Sequence, residues 1–272
     1  METNLEFISN IIKNRIKILE FELQSQWNKK NSCGENYCYV DNLIPEEITY
    51  KIYDLLLNID PTNWRENRSF REKKKGFFRL EKTNALISNV ADAFHQKDVI
   101  KKIGKITSID NLESDPSFYA GGISMMKKGD FLNPHIDNSH DAKKIKYRRL
   151  NLLFYISPNW DTLNGGNLEL WNKNVKKKIT ITSMFNRLVI MKTNKISWHS
   201  VSKVKINKPR FCISNYYFTK NSPYEDDYFH VTSFNGRPEE KFKRIYSYFD
   251  NFIRQKISST FNIGRGKKLV RK

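Results

Sequence analysis

The strongest constraint on the fold is a series of short β-like runs in the second half of the chain. They occupy residues 123–126, 150–156, 168–171, 187–191, 198–204 and 210–218, and Gly, Asn, Pro and Ser punctuate the gaps between them. Strands of this length and spacing suit an antiparallel barrel or sandwich, in which successive side chains alternate between a core face and an outer face. In 149–156 the alternation is explicit. Leu150, Leu152, Phe154 and Ile156 share one apolar face, and Asn151, Leu153 and Tyr155 share a mixed one. In 210–217 the faces are Arg210, Cys212, Ser214 and Tyr216 against Phe211, Ile213, Asn215 and Tyr217.

Before these runs the period is helical. Leu5, Ile8, Ile12, Ile16, Leu19 and Leu23 recur every three or four positions and predict one amphipathic helix over 5–23. A strand-like run at 37–40 precedes Pro45-Glu46-Glu47, which suits a first helical turn ahead of Ile48, Ile52 and Leu55. The basic segment 65–75 reads as a loop, and Leu86, Val90, Phe94 and Ile100 predict a helix over 85–103. Past the last strand, Pro238-Glu239-Glu240 opens a final helix with Phe242, Ile245, Phe249 and Ile253 on one face. The expected class is mainly β with flanking helices (α+β). Its expected units are an N-terminal helical extension (1–36), a β domain with supporting helices (37–222), a C-terminal helical cap (223–262) and a basic, disordered tail (263–272).

Composition excludes several classes. No stretch approaches the roughly 20 apolar residues of a membrane helix, and the N-terminus lacks a compact signal core, so the expectation is a cytoplasmic protein with no membrane partner. Cys33, Cys38 and Cys212 are too few for a disulfide framework, and Cys33/Cys38 would be half a zinc site without a second pair. The net charge of +19 invites a nucleic-acid partner, although Lys-rich, Asn- and Ile-rich composition also produces solvated basic faces with no specific role.

The chemistry centres on Asn133-Pro134-His135-Ile136-Asp137. In extended backbone, residues two apart project to the same side, so His135 and Asp137 offer an imidazole and a carboxylate to one ion. Chance alone supplies a His-x-Asp in about one such sequence in four. The remaining histidines are His95, His140, His199 and His230. His199, in strand-like Trp198-His199-Ser200-Val201, completes a two-histidine, one-carboxylate set that leaves positions open on iron. His140 falls in a turn-like segment and reads as exposed or supporting, and His95 and His230 read as ordinary hydrogen-bonded or surface histidines. Arg210 opens the last long strand. An inward guanidinium there matches a ligand carboxylate in two-point fashion, or bridges a structural Asp or Glu.

These motifs, in order, resemble the prolyl 4-hydroxylase-like branch of the Fe(II)/2-oxoglutarate oxygenases. The likeness runs from about residue 40 to 219 and includes Asn159-Trp160, Gly165-Gly166-Asn167-Leu168-Glu169-Leu170-Trp171 and Asn186-Arg187-Leu188. It implies a double-stranded β-helix, a jelly-roll barrel with supporting helices. It further implies His135, Asp137 and His199 as Fe(II) ligands and Arg210 as partner of the distal carboxylate of 2-oxoglutarate. Tyr155, Leu168, Asn151 and Val201 would line the cosubstrate pocket. O2 is the co-reactant, ascorbate a candidate reductant, and succinate and CO2 the released products. Cys212 stands where some relatives carry a carboxylate-binding Ser, and Met126 near a position that is often Tyr in prolyl hydroxylases. The implied substrate is a prolyl residue in a protein or peptide, then a free amino acid or small metabolite. A jelly-roll module without catalysis is a competing class. So is a nucleic-acid-acting oxygenase, whose second Arg on the last strand is absent from Ser214, Asn215 and Tyr216. His230, Arg237 and the final helix are candidates for a structural cap or for closing over substrate.

Overall fold

In the computed structural model, which describes residues 3–115, 117–118 and 121–261, two helices replace the one expected over 5–23. Asn4 caps α1 (Leu5–Ile18) by accepting from the Phe7 amide at 2.9 Å, and Ile8, Ile12 and Ile16 form its buried stripe. At Leu19 the backbone leaves the helical path, and α2 (Glu20–Asn28) buries Leu23 and Trp27 from a new axis. Next come β1 (Tyr37–Val40) and α3 (Glu46–Leu57). The segment expected as a loop is instead a hairpin, β2 (Arg65–Arg68) and β3 (Glu72–Phe77). Its charged composition hid it, because pairing with distant strands stabilises β3 and local propensity does not.

The helix expected over 85–103 is likewise two, α4 (Ala85–Ala93) and α5 (Lys97–Thr107). The rest of the chain supplies β4 (Glu113–Ser114), β5 (Gly122–Met126), β6 (Phe131–Ile136), β7 (Tyr147–Tyr155), β8 (Leu168–Trp171), β9 (Lys178–Ile181), β10 (Arg187–Lys192), β11 (His199–Val201), β12 (Arg210–Thr219), β13 (Ser233–Phe234) and α6 (Lys241–Phe261). β11 is shorter than the expected 198–204 run, and β4, β6, β9 and β13 fall outside the expected runs.

All pairings are antiparallel, in the order β1-β10-β7-β12-β5-β3-β6-β11-β8-β9. β3 joins the two halves by pairing Gly76 with Ser124 of β5 and Lys73 with Phe131 of β6. The result is the expected double-stranded β-helix. Leu150, Leu152 and Phe154 of β7, Leu188 and Ile190 of β10, and Phe211 and Ile213 of β12 share a core with α1, α4 and α5. Each large side chain buried there contributes roughly 1.5–3 kcal/mol relative to exposure. The opposite face of the same strands belongs to the barrel interior, where Tyr155, Val189, Met191 and Cys212 pack with Leu168, Leu170 and Ile181.

Two motifs of the sequence are structural pins. Asn186, at φ 60°, accepts from the Ile44 amide at 3.2 Å and donates to the Ile44 carbonyl at 2.6 Å. Arg187 grips Asp41 through two nitrogens, at 2.5 and 2.8 Å. The expected stripe of α6 is present but faces outward, because the polar side of this helix is the one that touches the body. The tail expected to be disordered lies outside the described residues, and no described helix is long and apolar enough to cross a membrane.

Candidate metal centre and cosubstrate pocket

His135 of β6 and His199 of β11 are cross-strand partners, with ring centroids 4.0 Å apart. Asp137 follows β6 directly. Its two oxygens lie 3.6 Å from His135 Nε2 and 3.5 Å from His199 Nε2. In each imidazole Nδ1 faces the carbonyl two residues earlier, Asn133 O at 3.0 Å and Ser197 O at 2.9 Å. A carbonyl can only accept, so Nδ1 carries the proton and Nε2 presents its lone pair toward Asp137. The three ligand atoms lie within 4.8 Å of one another, and among the described residues no other group of three or more His, Cys, Asp or Glu does so. Separations of this size are too long for hydrogen bonds but suit donors placed about 2.0–2.2 Å from a shared ion. Burial, then the neighbouring His199, hold the His135 pKa down to about 3, so its ring is neutral and able to ligate. The donor set fits Fe(II).

Burial alone would raise the Asp137 pKa. Arg148, the two imidazoles and the Asn151 amide outweigh it and hold the carboxyl well below its ordinary value. Arg148 Nη1 stands 3.4 Å from Asp137 Oδ2, and Asn151 Nδ2 donates to the same oxygen at 2.6 Å. Strict alternation would put Arg148 with Leu150 on the helix-facing side. The register slips instead: Tyr217 pairs with Leu150 and Phe218 with Arg148, so Arg149 is an extra, bulged residue. The bulge turns Arg148 onto the site face, where its guanidinium lies 4.0 Å from the Tyr216 ring centroid. Sequence reasoning missed Arg148 because no local signal marks the bulge.

Arg210 opens β12 and is 3% exposed. Its Nε and Nη2 donate to Ser183 Oγ at 3.3 and 3.2 Å, Met126 Sδ is 3.8 Å from Nη1, and the Tyr155 ring centroid is 4.8 Å away. Ser183 in turn donates to Gly166 O at 2.7 Å. Among the described residues no carboxylate lies within ion-pair distance of Arg210, whereas buried Arg148 faces Asp137 and Arg187 faces Asp41. The bridge to a structural acid considered from sequence is therefore not formed. The Tyr155 hydroxyl beside it is buried and makes no hydrogen bond of ordinary geometry. Gly166 sits at φ +65°, and a Cβ there would come within 3.3 Å of Arg210 Cδ and 3.2 Å of Trp160. Tyr155 packs with Leu168 and Leu170, and Leu170 is the cross-strand partner of His199. Continuous side-chain packing thus connects the Arg210 end to the His-Asp-His end.

The other sequence candidates separate clearly. Leu168 is buried in the interior cluster and Val201 packs with Met126, Leu132 and Trp160. Asn151 reaches the site through Asp137, with its own Oδ1 unpartnered. His140 is buried against Ser139 Oγ at 2.7 Å, not exposed, because the 222–236 segment covers it. His95 bonds Asn215 at 2.9 Å. His230 is half-buried, and burial pulls its pKa down to about 4. Arg237 closes a network that sequence reasoning did not foresee: Glu169 accepts from Arg237 at 2.7 Å and from Ser200 at 2.6 Å, and pairs with Lys178. Cys33 donates to Leu170 O at 3.0 Å, while burial pushes the Cys38 thiol up to about 12; neither joins a metal-ligand group.

A sequence-family profile described as the 2OG-Fe(II) oxygenase superfamily matches residues 121–218, the span that carries His135, Asp137, His199 and Arg210. Residues 121–218 are a 2OG-Fe(II) oxygenase domain. The chain is accordingly a 2-oxoglutarate-dependent dioxygenase, with Fe(II) as cofactor and 2-oxoglutarate as cosubstrate. No curated protein matches it by sequence. Among solved structures, the oxygenase is similar to a Trichoplax adhaerens prolyl hydroxylase in complex with a hypoxia inducible factor peptide (TM-score 0.54, 19% identity, covering 75% of this chain and 92% of that one). It is also similar to a Pseudomonas putida prolyl-4-hydroxylase (TM-score 0.54, 11% identity, 77% and 100% covered) and a Phytophthora capsici prolyl 4-hydroxylase (TM-score 0.51, 15% identity, 95% and 78% covered). At these identities the likeness is one of fold.

Proposed function

We propose that the oxygenase hydroxylates an unactivated C–H bond of a prolyl residue in a protein or peptide. His135, Asp137 and His199 hold Fe(II), and Arg210 holds the distal carboxylate of 2-oxoglutarate. The observation that carries the assignment is Arg210 itself. A buried guanidinium with no protein counter-charge is costly, and a dianionic ligand between it and the metal ligands removes that cost. Bound iron supplies the O2 chemistry that converts 2-oxoglutarate to succinate and CO2 and transfers one oxygen atom to substrate. The chain's own residues do the positioning. Arg148 and Asn151 fix the Asp137 carboxylate, the backbone carbonyls of Asn133 and Ser197 fix the imidazole tautomers, and Tyr155 offers its buried hydroxyl to the cosubstrate. Leu168, Val201 and Met126 exclude water from the pocket.

The prolyl reading draws on the neighbours' fold and on an aromatic group just past Asp137. The ring centroids of His140 and Tyr147 lie 4.4 Å apart and those of Tyr147 and Tyr228 5.4 Å, both pairs tilted, and Tyr224 meets Tyr228 edge-on at 4.9 Å. Aromatic surfaces of this kind suit the rigid rings of proline-rich segments. The test incubates Fe(II)-loaded protein and 2-oxoglutarate with proline-containing peptides, scoring succinate and a one-oxygen mass gain against a His199→Ala control. Mass gain on proline is expected. Succinate without mass gain on any proline peptide overturns the substrate and leaves the oxygenase; no succinate above the control favours a non-catalytic module.

A further inference from the structure

Helix α6 is inverted relative to α1, α3, α4 and α5, whose apolar positions are buried. Its polar residues touch the body. Asp250 pairs with Arg71 and Arg254, Asn251 exchanges two hydrogen bonds with the Phe234 backbone, and Gln255 bonds Val231 N and Phe229 O, both at 3.0 Å. The outward side carries Phe242 (89% exposed), Ile245 (60%), Phe249 (60%), Phe252 (55%), Ile253 (55%) and Ile257 (46%). Tyr248, 73% exposed, widens the stripe. A contiguous aromatic and aliphatic face of this length is an interaction surface.

Charge selects the occupant. From Arg237 to Lys272 the sequence has eleven Lys and Arg against three acids, so about an eighth of the chain holds eight of its nineteen net charges. Two of the acids are engaged within the protein, Asp250 with Arg71 and Arg254, and Glu240 with Lys243; Arg237 pairs with Glu169 and Arg244 donates to backbone carbonyls, so the excess offered to an external partner rests chiefly on the cations past α6. Past α6 the sequence adds Arg265, Lys267, Lys268, Arg271 and Lys272. A second copy would bring the same excess of positive charge against itself. An anionic surface with an apolar interior satisfies both halves of the pattern: the stripe enters the acyl boundary, and the flanking cations meet the headgroups.

We propose that α6 docks the oxygenase on an anionic phospholipid surface, lying in the plane of the interface. The one-sided stripe suits an interfacial helix and not a spanning one, in keeping with the absence of a membrane-crossing helix among the described residues. The proposal departs from the expectation of no membrane partner for surface association alone. The proposal is independent of the substrate the barrel takes.

The test is flotation of the full chain with vesicles of phosphatidylcholine alone and of phosphatidylcholine containing about 30% phosphatidylserine. Binding to the anionic vesicles should exceed binding to the neutral ones at least about tenfold and weaken with salt. The triple variant Phe242→Ser/Phe249→Ser/Phe252→Ser alters only exposed side chains. It should lower anionic binding at least about tenfold with unchanged circular dichroism and thermal unfolding. Should that variant misfold, Lys267→Glu/Lys268→Glu keeps the stripe and should lower anionic binding severalfold. No flotation of the wild type overturns the proposal. So does salt-sensitive binding that the folded triple variant retains, or a wild-type dimer that the triple variant dissolves while neither binds lipid.

Discussion

Replacing Arg210 with methionine should separate two effects of opposite sign. Methionine keeps much of the length of the side chain and removes the charge. Without cosubstrate, the wild-type residue is 3% exposed, and among the described residues its guanidinium faces Ser183 Oγ, the Met126 sulfur and the Tyr155 ring and no carboxylate at ion-pair distance. The charge-assisted donation of Nε and Nη2 to the one Ser183 hydroxyl contributes about 1.5–3 kcal/mol and the ring about 1–2 kcal/mol, against several kcal/mol for burying an unpaired charge. The variant alone should therefore be within about 1 kcal/mol of wild type in unfolding free energy, or more stable. With 2-oxoglutarate the sign reverses. Losing one partner of a buried, bidentate charge pair costs about 3–5 kcal/mol, which raises the dissociation constant by roughly 10²–10³-fold or more. Anaerobic calorimetric titration of Fe(II)-loaded protein measures this directly. Thermal unfolding gives the linked readout: at 100 times its own dissociation constant, cosubstrate stabilises wild type by about 2.7 kcal/mol and the variant hardly at all. A variant destabilised by about 3 kcal/mol without cosubstrate, yet binding it normally, would refute the reasoning and make Arg210 a structural residue.

Two further outcomes probe separate parts of the structure. Asn151→Ala removes the amide that holds Asp137 Oδ2 at 2.6 Å, so metal affinity measured by competition with a chelating dye should fall about 10–100-fold; unchanged affinity would sever Asn151 from the metal centre. Glu35 is 2% exposed, and burial raises its pKa from 4.5 to about 7 despite the Asn194 amide at 3.0 Å and nearby Lys192. The folded protein then binds the proton more tightly than the unfolded chain. The contribution is fully present below about pH 4.5 and is lost as pH rises through about 7, amounting to roughly 3 kcal/mol. Glu35→Gln should flatten that part of the denaturant-measured stability profile, and an identical slope in the variant would remove Glu35 as its origin.

Much of the site was legible because its signals are local. His135 lies in β6 and Asp137 is the first residue past its end, and a two-residue spacing in extended backbone puts both on one side. The alternation in β7 and β12 likewise divided Tyr155, Asn151 and Arg210 from Leu152, Phe154 and Phe211, and the two packing clusters follow that division. Arg148 was not legible, since the bulge at Arg149 reverses parity and arises only when β7 pairs with β12. The hairpin β2–β3 was hidden for a related reason. Its Lys and Glu residues disfavour a strand taken alone, and its partners in β5 and β6 lie about fifty and about sixty residues away in sequence.

The sequence by itself determined the period of each segment, the ligand types and their order, because these depend on neighbours within a few residues. Tertiary structure decided which charges are paired. It gave Asp137 an Arg and an Asn, gave Arg187 an Asp, and left Arg210 with a hydroxyl, a thioether and a ring. It also turned the apolar stripe of α6 away from the body, where periodicity had fixed only that the stripe exists. Burial and counter-charge belong to the whole packed chain, and the strand pairings that close the barrel set them.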